Sequence, residues 1–255
     1  MTKNTDWLSR TELLVGKDNL EKLKNSHILV VGLGGVGAYA AEMICRAGIG
    51  RMTIVDGDII QPSNRNRQLI ALSSNHGQPK ASLMAERLKD INPDLELTAL
   101  NEYLRDEAMV TLLNQPFDYV VDAIDTLSPK IYLIVHSVRN NLRIVSSMGS
   151  GGKFDPAQVH IDDISNSHNC KLAYLIRKRL RKFDIHSGVK VVYSTELVSK
   201  ETVIPCDERN KKSTVGTISY MPPVFGCFIA SVVINDLLNI NPENDSLTRE
   251  SLKGI

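Results

Sequence analysis

Ile28 to Val31 form an unbroken apolar run that ends at Gly32, and residues 36–47 then take up helical spacing. Such a run predicts a strand covered by helices on both faces, as in a parallel sheet. The same alternation continues down the chain. Strands are predicted at 51–55, 95–100, 119–121 and 144–147. Helices are predicted at 79–91, with Leu83, Met84 and Leu88 as apolar positions, and at 107–113 and 130–139. Leu8 to Lys24 reads as a helix whose apolar positions are Leu13, Leu14, Leu20 and Leu23, with Gly16 as a break. Repeated strand–helix alternation predicts an α/β fold with a doubly wound, mostly parallel sheet and an N-terminal helix. Right-handed crossovers gather the carboxyl ends of the strands on one edge.

After Gly149-Ser150-Gly151-Gly152 the texture changes. Shorter strands at 158–161 and 189–194 flank a basic segment, Lys171 to Lys182. A charged loop at 205–212 and an apolar helix at 224–238 follow, giving a C-terminal α+β extension. Ser213 to Asn235 carries no charge, but Pro222 and Pro223 interrupt it. Its apolar part, 224–234, is too short to span a bilayer, so it reads as a buried helix. Residues 1–240 read as one nucleotide-binding α/β domain, with its core at 26–150 and a substrate-side extension at 151–240. Residues 241–255 read as a loose tail.

Composition narrows the classes. At 255 residues and 42% apolar content the chain can bury a full core. The net charge of +1 excludes a bulk field toward nucleic acid or membrane, so any such affinity is local. The opening MTKNTDWLSR has no apolar stretch of the kind a signal peptide needs. Four cysteines, Cys45, Cys170, Cys206 and Cys227, form no C-x-x-C pair, so neither a zinc ribbon nor a dithiol motif is supported. Free thiols in a reducing, cytoplasmic setting are the plain reading, with Cys45 and Cys227 buried.

The chemistry lies in the loops. Gly32, Gly34 and Gly37 satisfy G-x-G-x-x-G between a strand and a helix. Glycine there permits a tight turn and a close phosphate, and the helix N-terminus favours an anion. Asp56, at the end of the second strand, stands where a ribose hydroxyl is held, giving a Rossmann-like site for an adenosine nucleotide. On the same edge lie SNRNRQ (63–68), GQPK (77–80) and DAIDT (122–126). Guanidinium, ammonium and carboxylate groups in one place suit phosphoryl or nucleotidyl transfer, where cations neutralise polyphosphate and a carboxylate holds magnesium. Asp58 and Asp122 read equally as strand-end acids. Lys80 opposes the dipole of the helix it starts, which favours a functional reason for it. His27, His76 and His136 stand alone and read as structural.

With GLGGVG, SNRNRQ, GQPK and DAIDT in this order and spacing, the chain resembles the ubiquitin-activating-enzyme-like adenylyltransferases, from Arg10 to about Ser147. The resemblance implies that Gly32, Gly34 and Gly35 line the phosphates of ATP and that Asp56 holds the ribose. Asn64, Arg67 and Lys80 would grip the polyphosphate, and Asp125 would bind magnesium, with Asp58, Asp122 and Thr126 beside them. Arg10 matches an arginine that reaches into a partner subunit's site, implying a homodimer. Arg65 stands where the family often has an uncharged residue.

The zinc cysteines of the sulfur-carrier activators are missing, and the chain is too short for a catalytic-cysteine domain. It is most similar to the stand-alone branch, the tRNA threonylcarbamoyladenosine dehydratases, whose WLSRTELLVG and VVYSTE it shares. That implies ATP activation of the threonyl carboxylate on tRNA, followed by intramolecular ring closure with net loss of water. Adenylation of a ubiquitin-like sulfur-carrier C-terminus, and so a sulfur-transfer partner, is the alternative. A nicotinamide-dependent oxidoreductase or a nucleotide-binding regulatory module is the other, weakened by the arginines and the lysine. KLAYLIRKRLRK (171–182) carries six cations and no acid. Lys171, Arg177, Lys178, Arg181 and Lys182 are therefore candidate tRNA contacts, against the plain alternative of a solvated helix face.

Overall fold

The computed structural model describes residues 6–208 and 211–240, with 205–208 and 211–213 followed as backbone only. The predicted tail at 241–255 and the thiol of Cys206 lie outside the described residues. The N-terminal helix divides at Gly16 into α1 (Ser9–Val15) and α2 (Lys17–Lys24). Then come β1 (His27–Val31), α3 (Gly37–Arg46), β2 (Arg51–Val55), α4 (Lys80–Ile91) and β3 (Glu96–Leu100). α5 (Asp106–Leu113), β4 (Tyr119–Asp122), α6 (Leu127–Arg139) and β5 (Ile144–Ser147) complete the first half. The second half has β6 (Val159–Asp163), α7 (Lys171–Leu180), β7 (Lys190–Ser194), β8 (Val203–Glu208), β9 (Lys211–Val215) and α8 (Met221–Leu238).

Seven strands form one sheet in the order β3-β2-β1-β4-β5-β7-β6. Every pairing is parallel except β6 with β7, so the extension lengthens the same sheet. Alternate side chains of β1 enter opposite cores. Ile28 and Val30 pack with residues of α3, α4 and α8, whereas Leu29 and Val31 pack with those of α5, α6 and α7. Burial on both faces is why the strand reads as a continuous apolar run.

The structure departs from the sequence reading in four places. The charged loop expected at 205–212 is a hairpin of β8 and β9, because strand pairing there does not depend on an apolar pattern. α6 begins at Leu127 and α8 at Met221, each three residues early, and α8 takes Pro222 and Pro223 in its first turn, where no intrahelical N–H is needed. α8 is long and apolar enough by composition to cross a membrane, yet ten of its residues are buried in this fold, as expected. Cys227 on its outer side is exposed, contrary to expectation, while Cys45 is buried.

One buried ion pair shapes the turn after β4. The Nζ of Lys130 lies 2.9 Å from the Asp122 carboxylate, and neither side chain is exposed. Lys130 also donates to the carbonyl of Ile124, while Asp122 accepts from Ile124 N–H and from Ser146 Oγ. Every hydrogen bond runs to the turn at 123–126 or to its neighbouring strand. Lys130→Met is expected to cost roughly 3–5 kcal/mol in urea denaturation, because it strands a buried carboxylate. Adding Asp122→Asn should return a large part of that loss. A double variant no more stable than Lys130→Met would place the cost in packing rather than in charge.

Candidate nucleotide-binding site

The sheet order reverses between β1 and β4, and the crevice at such a switch point is where open α/β sheets bind ligands. Two loops meet there. Gly32, with φ +92°, follows β1, and a Cβ on it would come 2.7 Å from the carbonyl oxygen of Ala123 after β4. A Cβ on Gly37 would come 1.8 Å from the carbonyl oxygen of Gly32, so the turn closes on itself. Gly34 differs. The nearest atom to its Cβ position is Gln68 Nε2 at 3.8 Å, so packing within the protein does not require glycine there. A bare backbone beside the N-terminus of α3 suits a phosphate.

Asp56 sits at the mouth of the turn. Its carboxylate accepts from the N–H of Leu33 at 2.6 Å and of Asp58 at 2.8 Å. Burial raises its pKa from the ordinary carboxylate value, against the charge of Lys80 and the two backbone donors. Each oxygen accepts one backbone bond and keeps acceptor capacity for a hydroxyl. Lys80 is buried, with its Nζ 2.9 Å from Asp58, and Tyr103 donates to the other oxygen of Asp58 at 2.6 Å. Asp58 is thereby resolved as the partner of Lys80 rather than an idle strand-end acid. The cation that would meet a polyphosphate is held in readiness by a carboxylate.

Asn64 is buried and spends its Oδ1 on the N–H of Gln61, capping the short turn at 62–64. Arg67 Nη1 donates to the carbonyl of Ser63 at 3.1 Å and to Asn66 Oδ1 at 2.8 Å. Burial lowers the pKa of the Arg67 guanidinium, while the nearby charge of Asp125 opposes the shift. Asp125 is exposed, and Thr126 caps α6 through its backbone alone. Arg65 is exposed.

One expected site residue is placed elsewhere, and Arg10, expected at a partner's site, lies away from this chain's own crevice. Asp122 does not face the crevice, since it is the fully buried partner of Lys130. Arg10 is exposed on α1, and Leu8 near it packs against Gly48 at the amino edge of the sheet, opposite the crevice. α1 buries none of its residues, and Leu13 and Leu14, expected as its apolar face, are 88% and 86% exposed.

The basic helix also differs in detail from expectation. Arg177 turns inward and donates to the carbonyls of Ile164 and Ser167 and to the Ser167 hydroxyl. Ile164 N–H bonds to Val189 beside the start of β7, so the cationic end of α7 lies toward the amino edge of the sheet, not over its loops. Lys171, Lys178, Arg179, Arg181 and Lys182 are exposed. On α6 alongside, exposed Tyr132 packs near Phe183, and Arg139 lies over the Phe183 ring at 5.7 Å. Neither α6 nor α7 carries an acid. Sequence reasoning missed Lys130, Tyr103 and Asn66. Only Asn66 carried a signal, its place inside SNRNRQ. Among the described residues no cluster of three or more histidines, cysteines or acids is placed to hold a metal.

Comparison with known proteins agrees with this geometry. The chain is 41% identical over 238 residues to the tRNA threonylcarbamoyladenosine dehydratase of Bacillus subtilis, covering 90% of this chain and 94% of that one. It is 38% identical to the Escherichia coli enzyme of the same name, covering 73% and 72%. The crystal structure of E. coli tRNA N6-threonylcarbamoyladenosine dehydratase, TcdA, in complex with ATP superimposes with a TM-score of 0.85 at 32% identity, covering 94% of this chain and 96% of that one. The family model for the ThiF family matches residues 8–253, and the chain belongs to the ThiF family.

Proposed function

We propose that this chain is an ATP-dependent tRNA threonylcarbamoyladenosine dehydratase. The observation that carries this reading is the crevice at β1 and β4, where Asp56, Lys80, Arg67 and Asp125 surround a glycine turn. It is joined to end-to-end similarity with proteins of that name. The bare backbone at Gly34, with Gly35 beside it, would take the phosphates of ATP, and Asp56 would hold the ribose. Lys80 and Arg67 neutralise the polyphosphate as charge moves to the leaving group. An exposed carboxylate near Arg67, that of Asp125, fits magnesium, which takes few protein ligands and prefers phosphate oxygens. Asp125 would hold the ion, which supplies further charge neutralisation on the phosphates.

The chain activates the threonyl carboxylate of the modified base, and the carbamoyl group on the same base closes the ring. With both reacting groups on one substrate, positioning and charge stabilisation suffice and no cysteine nucleophile is needed. The experiment that tests the reading is mass spectrometry of tRNA nucleosides after incubation with ATP and magnesium. The cyclic product is expected. Pyrophosphate exchange driven by a ubiquitin-like carrier instead of tRNA would replace this reading with carrier adenylation.

The tRNA is held, in this reading, along α7 and α6. α7 runs about 15 Å, so cations near its last turn reach phosphates well away from the reacting base. The exposed apolar side chains of α1 support a homodimer. Exposed Leu13 and Leu14 are covered by a second copy, which brings its Arg10 to the neighbouring crevice.

Arg67→Ala and Asp125→Ala are each expected to lower ATP-dependent turnover by about 10²–10³. Near-normal ATP consumption in both would remove the site assignment. Mixing Arg10→Ala subunits with Lys80→Ala subunits should restore partial activity, because one hybrid site keeps both residues; verified heterodimers without rescue would end the trans role. The triple variant Lys178→Glu, Arg181→Glu and Lys182→Glu should weaken tRNA binding. It should also flatten the salt dependence by roughly 0.7–0.9 log units per lost contact. An unchanged slope with native circular dichroism would exclude α7 as the docking surface.

A further inference from the structure

The segment Gly216–Pro222 leads from β9 into α8, and it carries none of the nucleotide motifs. It nevertheless meets both arms of the phosphate grip. The Nδ2 of Asn66 donates to the carbonyl of Thr217 at 2.9 Å, while Oδ1 of the same amide accepts from Arg67 Nη1 at 2.8 Å. One planar amide thus joins Arg67 to the extension, and only one orientation of that amide serves both bonds. Five residues on, Pro222 backs the glycine turn. A Cβ on Gly35 would lie 2.9 Å from Pro222 Cβ and 3.3 Å from the Arg67 carbonyl oxygen.

The other end of the segment is knitted into the extension. Gly152 N–H donates to the Gly216 carbonyl at 2.7 Å, and Gly216 N–H donates to Thr202 at 2.8 Å. Tyr220 OH donates to the Phe154 carbonyl at 2.8 Å. The Glu196 carboxylate accepts from the N–H of Phe154 and of Asp155, and buried Lys153 donates to the Glu196 carbonyl. The loop after β5, the exit of β7 and the base of the β8–β9 hairpin are therefore tied to one strand of backbone. That strand is hydrogen-bonded through Asn66 to the guanidinium placed for phosphate.

We infer that Asn66 is a positioning residue that couples the two ligands. It orients Arg67 toward the nucleotide only while Thr217 is in place, so that seating tRNA on the extension tightens the ATP grip. This rests on the reading of the chain as an ATP- and tRNA-dependent enzyme. Coupling of this kind is reciprocal, so bound nucleotide must strengthen tRNA binding by the same factor that tRNA strengthens nucleotide binding.

The test is equilibrium binding of tRNA bearing threonylcarbamoyladenosine, with and without a saturating non-hydrolysable ATP analogue. In the wild-type chain the analogue is expected to tighten tRNA binding about 5- to 100-fold, within the range of ordinary allosteric coupling. Asn66→Ala, which loses both bonds, should bring that factor close to one. Asn66→Asp keeps an acceptor for Arg67 but cannot donate to the Thr217 carbonyl, and it should also abolish the coupling. A merely structural role for Asn66 would weaken each ligand alone and leave the factor intact. Retained coupling in either variant overturns the inference. So does a wild-type factor of one with both ligands bound, which leaves the proposed activity standing. Failure of the wild-type chain to bind tRNA at all overturns both.

Discussion

A lysine and an aspartate, both shut away from water, hold up the floor of the crevice. Charge is costly to bury, and a pair of this kind persists only where geometry and extra hydrogen bonds offset desolvation. Asp122 and Lys130 meet that condition by enclosing the peptide groups of Ile124 between them. The turn they fix presses Ala123 against the glycine turn and presents Asp125 beside Arg67. The pair is closed to solvent, yet the relative position of the two loops that would meet ATP depends on it.

Around that floor, charges are stored rather than left loose. Lys80 rests on Asp58, which Tyr103 also holds, and Arg67 rests on a carbonyl and an amide. Preorganised groups of this kind need little rearrangement when a charged ligand arrives, which is the usual source of electrostatic stabilisation in active sites. Arg67 hydrogen-bonds a carbonyl and an amide and feels the nearby charge of Asp125, whereas Lys80 lies 2.9 Å from the Asp58 carboxylate. Both cations would therefore share their charge with an acid when phosphate arrives.

Much of this was legible from residues alone, for a physical reason. Strands buried on both faces cannot hide their composition, so β1, β2 and β4 announced themselves as largely apolar runs, and the glycine turn marked where the crevice would lie. Side-chain direction was not legible. Nothing in KLAYLIRKRLRK tells that Arg177 folds inward to Ser167 while its neighbours face water, since helical spacing puts it at the border of the buried stripe. Nor does DAIDT reveal which of its two acids is consumed by a lysine eight residues beyond the first. The hairpin β8–β9 escaped because its charged sequence lacks the alternation that marks a core-facing strand. Leu13 and Leu14 were misread for the opposite reason: an apolar stripe implies a covered face without saying what covers it.

The pairing of β1 with β4 at the centre of the sheet also sets the order of assembly. β1, β2 and β3 pair with neighbours in sequence, but β4 joins β1 only after the chain has closed a long excursion, and the bond between His27 N–H and Asp118 spans 91 residues. Loop closure of that length is slow to be rewarded by contacts. The crevice lies on the seam that this late pairing creates. Asp56, Arg67 and Lys80 all precede the seam, but Ala123 backs the glycine turn and Asp125 stands near Arg67 only once it has closed, so bound nucleotide would favour the molecule whose two halves have met.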